Sequence, residues 1–566
     1  MNTHLSCKTQ TGYTLVLIAV LTAVSIVLVS GVLSWSSTTS KLKQRNTQFC
    51  GTLAAAEAAT EKVVSQISRD FQTQGEQALN LNLTTYSALV PQLLEANAWT
   101  NYQFSDALGG LNRTYVNNST NWQYTRLQSK YGWYGKAASY RIISNARNLG
   151  AFANAVAAQK QEIQVASVPL FQFGAFYAQD MEIFPGTALT LSGLVHCNGT
   201  IYLQPIQNFT FKNHVTATGK ILHENSPNNP TTYTFGSVSY QGAHDGGVKS
   251  LNLPIGTNNT TTALRQIVEI PPANELITSI LGQQRYYNKA ELIILFNDLS
   301  DVAFSGAYNN FLVTVPWSTV QHWVNKNLSF FNKRENKTVK AVDFDLSQFN
   351  VDYAQLTSIL GRPVKTIYIA DLRTQTPGVT ESGIRLVNGQ TLPPNGLTIA
   401  TANPLYVKGH YNVYSAHLGT TNTSMAKPAS LVADAITILS GNWSDIQSTK
   451  ILSSRLATST TVNAALMGGI VPSGGGYYSG GIENVMRLLE DWTSNILTFN
   501  GSIVVLYNSK FATAPWGASD DVYYPPTRRL NFDPNFLDYT KLPPGTPNLR
   551  TLIRVQWAAI APNTTL

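Results

Sequence analysis

Any chemistry in this chain would have to come from a short set of residues. Gly242-Ala-His-Asp-Gly-Gly-Val-Lys-Ser250 has the outline of a phosphate loop. That motif needs Gly directly before Lys, however, and here Val248 intervenes, so the segment reads as a flexible loop. His196, His410 and His417 show neither an HExxH pair nor the Cys/His spacing of a zinc site. No metal and no cofactor is expected, and His196, set in an apolar stretch, reads as a core histidine. Asp180 and Glu182 lie two apart on an expected strand and would share a face; Glu483, Glu490 and Asp491 fall in a stretch read as helical, with 483 and 490 on one face. Glycosidases place two carboxylates across one bond, which makes each set a candidate. The plainer reading is that they solvate a surface or bond turn amides. No Gly-x-Ser-x-Gly elbow or activated cysteine setting occurs, and the expectation is a chain with no catalytic residues.

Composition narrows the partners. Charged residues make up 12% of the 566 positions, against about 25% in an average soluble domain. Asn, Thr, Ser, Gly and Tyr fill the deficit, as in β-rich extracytoplasmic proteins. A net charge of +8 over this length is a weak field, and no basic cluster is interleaved with aromatics, so nucleic acid is not an expected partner. Sequons such as those at Asn82, Asn112, Asn198, Asn208 and Asn442 follow from the Asn content. Cys7 precedes the apolar N-terminal run; Cys50 and Cys197 follow it, either as a disulfide or as two lone thiols.

The elements that must position all this begin with Tyr13–Trp35, 23 residues without a charge. About 20 such residues span a bilayer as a helix, and the run is longer than the core of a cleaved secretory signal. A single-pass transmembrane helix at 13–35 follows. Lys41, Lys43 and Arg45 behind it outnumber Lys8 in front, yet long downstream segments translocate largely regardless of flanking charge. The expected orientation is therefore N-terminus cytoplasmic, body outside. Ala19 and Ala23 are four apart, as are Ser30 and Ser34, and small residues so spaced let membrane helices pack closely. An amphipathic stem follows over 36–94. Val63, Val64, Ile67 and Phe71 form one apolar stripe, and a helix from Tyr13 to Phe71 would be about 90 Å long, dented at most near Gly51.

Residues 95–168 read as a helical and irregular connector, helical over Ala151–Val168. Past Pro169 the pattern changes to short apolar runs alternating with Gly, Asn and Pro turns. Runs at 5 to 8 residue intervals suggest stacked rungs rather than hairpins. The expected fold class is α+β: a transmembrane helix continuing into a stem, then a mainly-β body, a parallel β-solenoid with an inserted α+β lobe. Its rungs occupy 169–204 and 376–510, the insertion or second lobe 205–375, and a Pro-rich tail 511–566. Trp443, Tyr411, Tyr477 and Tyr478 are a candidate ligand face.

Two resemblances add to this. The leader, residues 1–12, is short and basic, and it ends Lys8-Thr-Gln-Thr-Gly12 before Tyr13 and the apolar helix. It resembles the class III signal of type IV pilins and pseudopilins, which implies cleavage between Gly12 and Tyr13 on the cytoplasmic side. Leu17 stands at the fifth mature position, where most major pilins carry Glu, which points to a minor pilin or pseudopilin; an uncut signal anchor is the alternative. The segments PLFQFGAFYAQDMEIFPG and GLVHCNGTIYL, with NPLYVKGHYNV, TTVNAALMGGIVPSGG and YSGGIENVMRLLEDW, resemble large bacterial proteins with a PilX-like minor-pilin N-terminus and a β-solenoid body. The resemblance implies a bacterial inner-membrane protein with a periplasmic or cell-surface body. Its partners would be the bilayer and other pilin-like helices or a secretion or pilus machine. The functional expectation is a non-enzymatic structural or assembly component; the alternatives are an anchored adhesin for glycans and a solenoid carbohydrate enzyme.

Overall fold

The computed structural model describes residues 12–150, 155–231, 236–306, 312–516 and 521–564. Leader residues 1–11 lie outside the described residues. The chain is α+β, with a long N-terminal apolar helix and a large β body. The helix is one continuous element, Tyr13–Gln74, which passes Gly51 without a break. Its 62 residues extend about 93 Å at 1.5 Å per residue.

The two halves of the helix behave differently. Up to Cys50 nearly every side chain is exposed, and the apolar run there is long enough to cross a membrane, a candidate anchor. From Thr52 onward one face is buried through Ala55, Ala56, Ala59, Val63, Val64, Ile67 and Phe71. This face lies on an antiparallel sheet ordered Tyr102–Ser105, Tyr134–Asn148, Val156–Pro169, Asn548–Ile560, with Tyr115–Asn118 and Gln123–Arg126 also paired to the second strand. Alternate residues Ala138, Tyr140 and Ile142 of one strand, and Ile163 and Val165 of the next, meet the Val63–Phe71 stripe, as the two-residue period of a strand requires. The helix stops at Gly75, whose φ of 83° breaks the ladder. Arg550 of the closing strand caps it, donating to the Phe71 and Gln72 carbonyls at 2.9 and 2.8 Å, a cation where the helix dipole is negative.

Between the third and fourth strands of that sheet, residues 170–547 form the rest of the body. The chain first circulates through three parallel ladders. One holds Phe173–Tyr177, Leu194–Cys197, Val215–Ala217 and His244–Asp245. The second holds Met181–Ile183, Ile201–Leu203 and Ile221–Leu222, and the third Leu189–Leu191, Phe209–Phe211 and Val238–Tyr240. Matching residues fall 20 apart, as His196 and Thr216 do, and 29 apart at the step into Val238–Tyr240 and His244–Asp245. Circuits stack about 4.8 Å apart, so the corners are crowded. A Cβ on Gly199 would lie 2.6 Å from the Asp180 amide nitrogen of the circuit before, and only glycine fits.

Later residues stack on the other side of the first circuit. Phe173–Tyr177 pairs in parallel with Ile496–Asn508, and beyond it lie Thr460–Ile470, Ala429–Val432, Leu397–Ala400, Thr366–Asp371 and Leu292–Phe296, all parallel; Val302–Ser305 ends the sheet antiparallel. A companion ladder runs Lys337–Asp345, Thr380–Val387, Leu405–Lys408, Ile436–Leu439, Met486–Arg487, again parallel. Strand Ile496–Asn508 changes partner within its length, pairing with Thr527–Phe532 up to Gly501 and with Ala175–Tyr177 from Ile503. At this point four asparagines line up. Asn412 and Asn463 exchange amide-to-carbonyl bonds of 2.9 and 3.0 Å, Asn500 donates to Asn463 at 2.8 Å, and Asn531 donates to Asn500 at 3.0 Å. Apolar side chains such as Ile183, Leu203, Ile399, Leu431, Leu466 and Ile503 fill the interior.

Several expectations need correction. The stem does not run to residue 94: past Gly75 only the short helices Glu76–Leu81 and Leu83–Ser87 follow. The connector is a sheet. Val156–Pro169, rich in Ala, Gln and Glu, is a strand paired along both edges, because burial under the helix overrides local helix propensity; residues 151–154 lie outside the described residues. The parallel ladders continue past 205 to Asp245 instead of yielding to an insertion. The stretch around Glu483 is a 3-10 turn, Ile482–Asn484, followed by strand Met486–Arg487. The C-terminal tail holds two long-range strands, Thr527–Phe532 and Asn548–Ile560. Cys50 and Cys197 are both free thiols, one exposed and one buried.

Candidate functional site

The exposed half of the helix is the first candidate. Gly12 precedes it and Tyr13 is its first residue. At 100° per residue, positions 19, 23, 30 and 34 fall within about 60° of arc, so Ala19, Ala23, Ser30 and Ser34 form one narrow stripe of small, exposed side chains. Ser30 donates to the Ile26 carbonyl at 2.6 Å and so satisfies its own hydroxyl within the helix. The stripe presents no unmet polar group at Ser30, and a close-packed partner would meet backbone and small side chains there.

The four aromatic candidates are not gathered on one face. Trp443 is 4% exposed, packed against Phe330 and bonded through its indole N–H to Asp445 at 2.9 Å. Tyr411 is fully buried under Gly389. Tyr477 stands out on the Gly474–Tyr477 turn, 46% exposed. Tyr478, buried, lines a cavity of about 250 Å³ together with Phe184, Trp516 and Tyr523. Tyr477 sits on the turn itself and Tyr478 follows it into the cavity, which separates the two.

The carboxylates are also dispersed. Asp180 accepts the Thr200 amide at 2.7 Å and fixes a corner between circuits. Glu182 is buried and accepts the Ser473 hydroxyl at 2.8 Å; burial pushes its carboxyl up, and the Ser473 and Ser226 hydroxyls oppose this. Glu483 accepts from the Tyr478 hydroxyl, and burial likewise pushes it above the ordinary range. Glu490, 1% exposed, accepts both the amide and the hydroxyl of Ser440 at 2.6 Å, and burial pushes it up to about 7. Asp491 accepts the Thr493 amide at 2.9 Å. Glu483 and Glu490 therefore do not share a helix face.

The histidines have separate tasks. His196 is buried between Thr216, 2.8 Å from Nδ1, and Asn198, 3.0 Å from Nε2, and burial lowers its pKa to about 4. His410 accepts the Thr461 amide at 3.1 Å, while His417 contacts the Asn422 amide. The Gly242–Ser250 segment contains the last strand of the first parallel ladder, His244–Asp245, and turns after it with φ of 73° at Gly247. Sequence reasoning missed Phe184, Trp516 and Tyr523 because nothing in their local spacing links them to Tyr478.

No protein-family description matches the chain, and no curated protein matches it. Among solved structures it is similar to the competence-associated pilin ComZ from Thermus thermophilus, at 9% identity and a TM-score of 0.25, over 90% of this chain and 97% of that one. At those values the likeness assigns no residue a role.

Proposed function

We propose that the chain is a pilin-like, non-enzymatic structural or assembly component of minor-pilin or pseudopilin type, held in a bacterial inner membrane with its N-terminus cytoplasmic and a β-solenoid body outside. One observation carries this reading. A single helix has an exposed, apolar first half and a second half seated on an antiparallel sheet. A helix so divided has one half available to lipid and to other helices and the other committed to its own body. Ala19, Ala23, Ser30 and Ser34 would form the contact with neighbouring pilin-like helices, without nucleic acid or cofactor. The body's 20-residue circuits of parallel strands support the solenoid reading.

The test is N-terminal sequencing of the protein extracted from native membranes. The expected mature terminus is Tyr13, and Gly12→Val should leave Met1 in place. An intact Met1 on the unmutated protein, with the cognate peptidase present, would overturn the proposal in favour of an uncut anchor.

A further inference from the structure

The long helix keeps one apolar register across the point where its cover ends. Leu42, Phe49, Ala56 and Val63 follow one another at intervals of seven, so each points within about 20° of the one before it. Ala56 and Val63 are fully buried in the clusters that join the helix to its sheet, whereas Phe49 is 45% and Leu42 60% exposed. Below Gly51 the same face thus continues with no neighbour to bury it among the described residues. From Ser36 to Gly51 the sequence reads SSTTSKLKQRNTQFCG, and Leu42 and Phe49 are its only large apolar side chains. A helix that bridges water alone is polar all round. This one carries a narrow apolar stripe, on a side about 100° away from Ala19, Ala23, Ser30 and Ser34.

Lipid, a second copy and a different protein are the occupants to compare. The apolar run ends at Trp35. Along the axis Leu42 lies about 10 Å past it and Phe49 about 21 Å, while the headgroup layer is about 5–8 Å deep on each side of the bilayer. Lipid therefore does not cover Phe49.

Charge separates the other two. Lys41, Lys43 and Arg45 are exposed around Leu42. Arg45 stands about 60° from it and the two lysines about 100° to either side. The first carboxylate anywhere in the chain is Glu57, about 22 Å further along the helix than Leu42. Two copies anchored in one membrane run parallel. Pairing along this stripe would set both triplets of cations at the same height, with no acid on either helix there to offset them, and like charges on facing flanks oppose pairing. A partner with Asp or Glu beside its apolar contact gains from each cation instead.

We propose that Leu42 and Phe49 dock a helix of a different membrane-anchored protein, apolar where it meets them and acidic on its flanks, and that the three cations exclude a second copy from this face. The inference rests on the reading of Tyr13–Trp35 as a membrane span and gives one partner its chemistry.

The experiment is disulfide cross-linking of the full chain in phosphatidylcholine vesicles. The chain carries Cys7→Ser, Cys50→Ser and Asn46→Cys; Cys197 is buried, so the accessible thiol lies beside the stripe. The probes are two designed single-pass helices, each a polyleucine span followed by a helix with Leu and one Cys on its contact face. One probe has Glu on both flanks and the other Lys. Under mild oxidation the Glu probe should cross-link about tenfold faster than the Lys probe, and about tenfold faster than the chain cross-links to itself, equivalent to 1.4 kcal/mol. Lys41→Gln, Lys43→Gln and Arg45→Gln together should abolish the preference, as should 1 M salt, where the screening length is about 3 Å. Leu42→Ser with Phe49→Ser should slow capture of the Glu probe about tenfold, and unchanged near-UV circular dichroism would show that the body persists in every variant. The proposal is overturned if the two probes react at equal rates, if capture survives the loss of Leu42 and Phe49, or if the chain pairs with itself as fast as with the Glu probe. Carbonate extraction separates this result from the reading beneath it. A chain that stays in the vesicles and gives any of those outcomes loses the contact alone; a chain that carbonate releases loses the membrane span as well.

Discussion

The asparagine ladder allows a worked perturbation. Asn500 is 2% exposed and makes three hydrogen bonds: it donates to the Thr420 carbonyl at 2.9 Å and to Asn463 Oδ1 at 2.8 Å, and accepts from Asn531 at 3.0 Å. A net value of about 1 kcal/mol per bond gives roughly 3 kcal/mol for Asn500→Ala. The orphaned Asn463 Oδ1, itself buried, adds to this, so a loss of about 3–4 kcal/mol is expected. Asn500→Asp separates polarity from shape. It removes both donated bonds and sets a carboxylate beside the Asn463 oxygen. Burial and that oxygen disfavour the ionised form, so the folded-state pKa rises above the ordinary carboxylate value of about 3.9. Relative to the unmutated chain, the stability of Asn500→Asp should then be greatest below that pH and fall as pH rises toward 7, while the deficit of Asn500→Ala stays constant with pH. Urea unfolding of the full chain in micelles, followed by the fluorescence of the buried Trp323 and Trp492, measures both, with an unchanged m-value as the check on the transition. If both variants unfold within about 0.5 kcal/mol of the unmutated chain, the ladder is a bystander and the reasoning fails.

Two further outcomes follow from the same structure. Arg550→Ala removes two charge-assisted bonds to the end of the long helix and the guanidinium over the Phe71 ring, 5.7 Å away. Stability should drop by about 2–3 kcal/mol, with faster amide exchange over residues 549–553; unchanged exchange would show that the cap is dispensable. Glu490, raised to about 7 by burial, holds its proton in the folded chain where the unfolded chain has lost it, so its contribution is complete below about pH 4.5 and is lost as pH rises through 7. Glu490→Gln should flatten that decline in a pH series of urea midpoints, and an equal slope in both proteins would contradict the assignment.

How much of this was legible depends on the distance over which each signal acts. The Val63, Val64, Ile67, Phe71 stripe repeats within one helix, and its period alone predicts the face that the structure buries. The Gly/Asn-punctuated runs near Met181, Leu189 and Ile201 likewise announce short strands, because crowded corners such as Gly199 admit nothing larger. Partner choice is different. Val156–Pro169 is locally helical in composition and becomes a strand only because Tyr134–Asn148 and Asn548–Ile560 bond both its edges. The asparagine ladder steps by 51, 37 and 31 residues, since each circuit carries a different loop, and no period exposes it. The cavity beside Tyr478 needs Phe184 next to it, which follows from the parallel bridge between Glu182 and Gly481, a pairing that no local spacing announces.

The position of the large body within the chain has a mechanical consequence. Residues 170–547 leave the helix-bearing sheet after Pro169 and return at Asn548, which is its register partner, and the Leu170 amide donates to the Pro547 carbonyl at 2.9 Å. The two ends of the excursion therefore touch. Loop-closure entropy grows only logarithmically with length, about 0.6 kcal/mol per doubling, so a folded insert that brings its own ends together burdens the sheet little more than a hairpin loop would. The sheet takes its closing strand, and the helix its Arg550 cap, from the far side of the insert, Asn548–Ile560. Load applied to the body passes into the helix along two paired strands and the Glu61–Arg554 and Arg550 contacts, without a single flexible linker bearing it. A protein whose proposed task is to hold a body outside the membrane by one helix is served by that arrangement, since both ends of the body are fastened to the same stem.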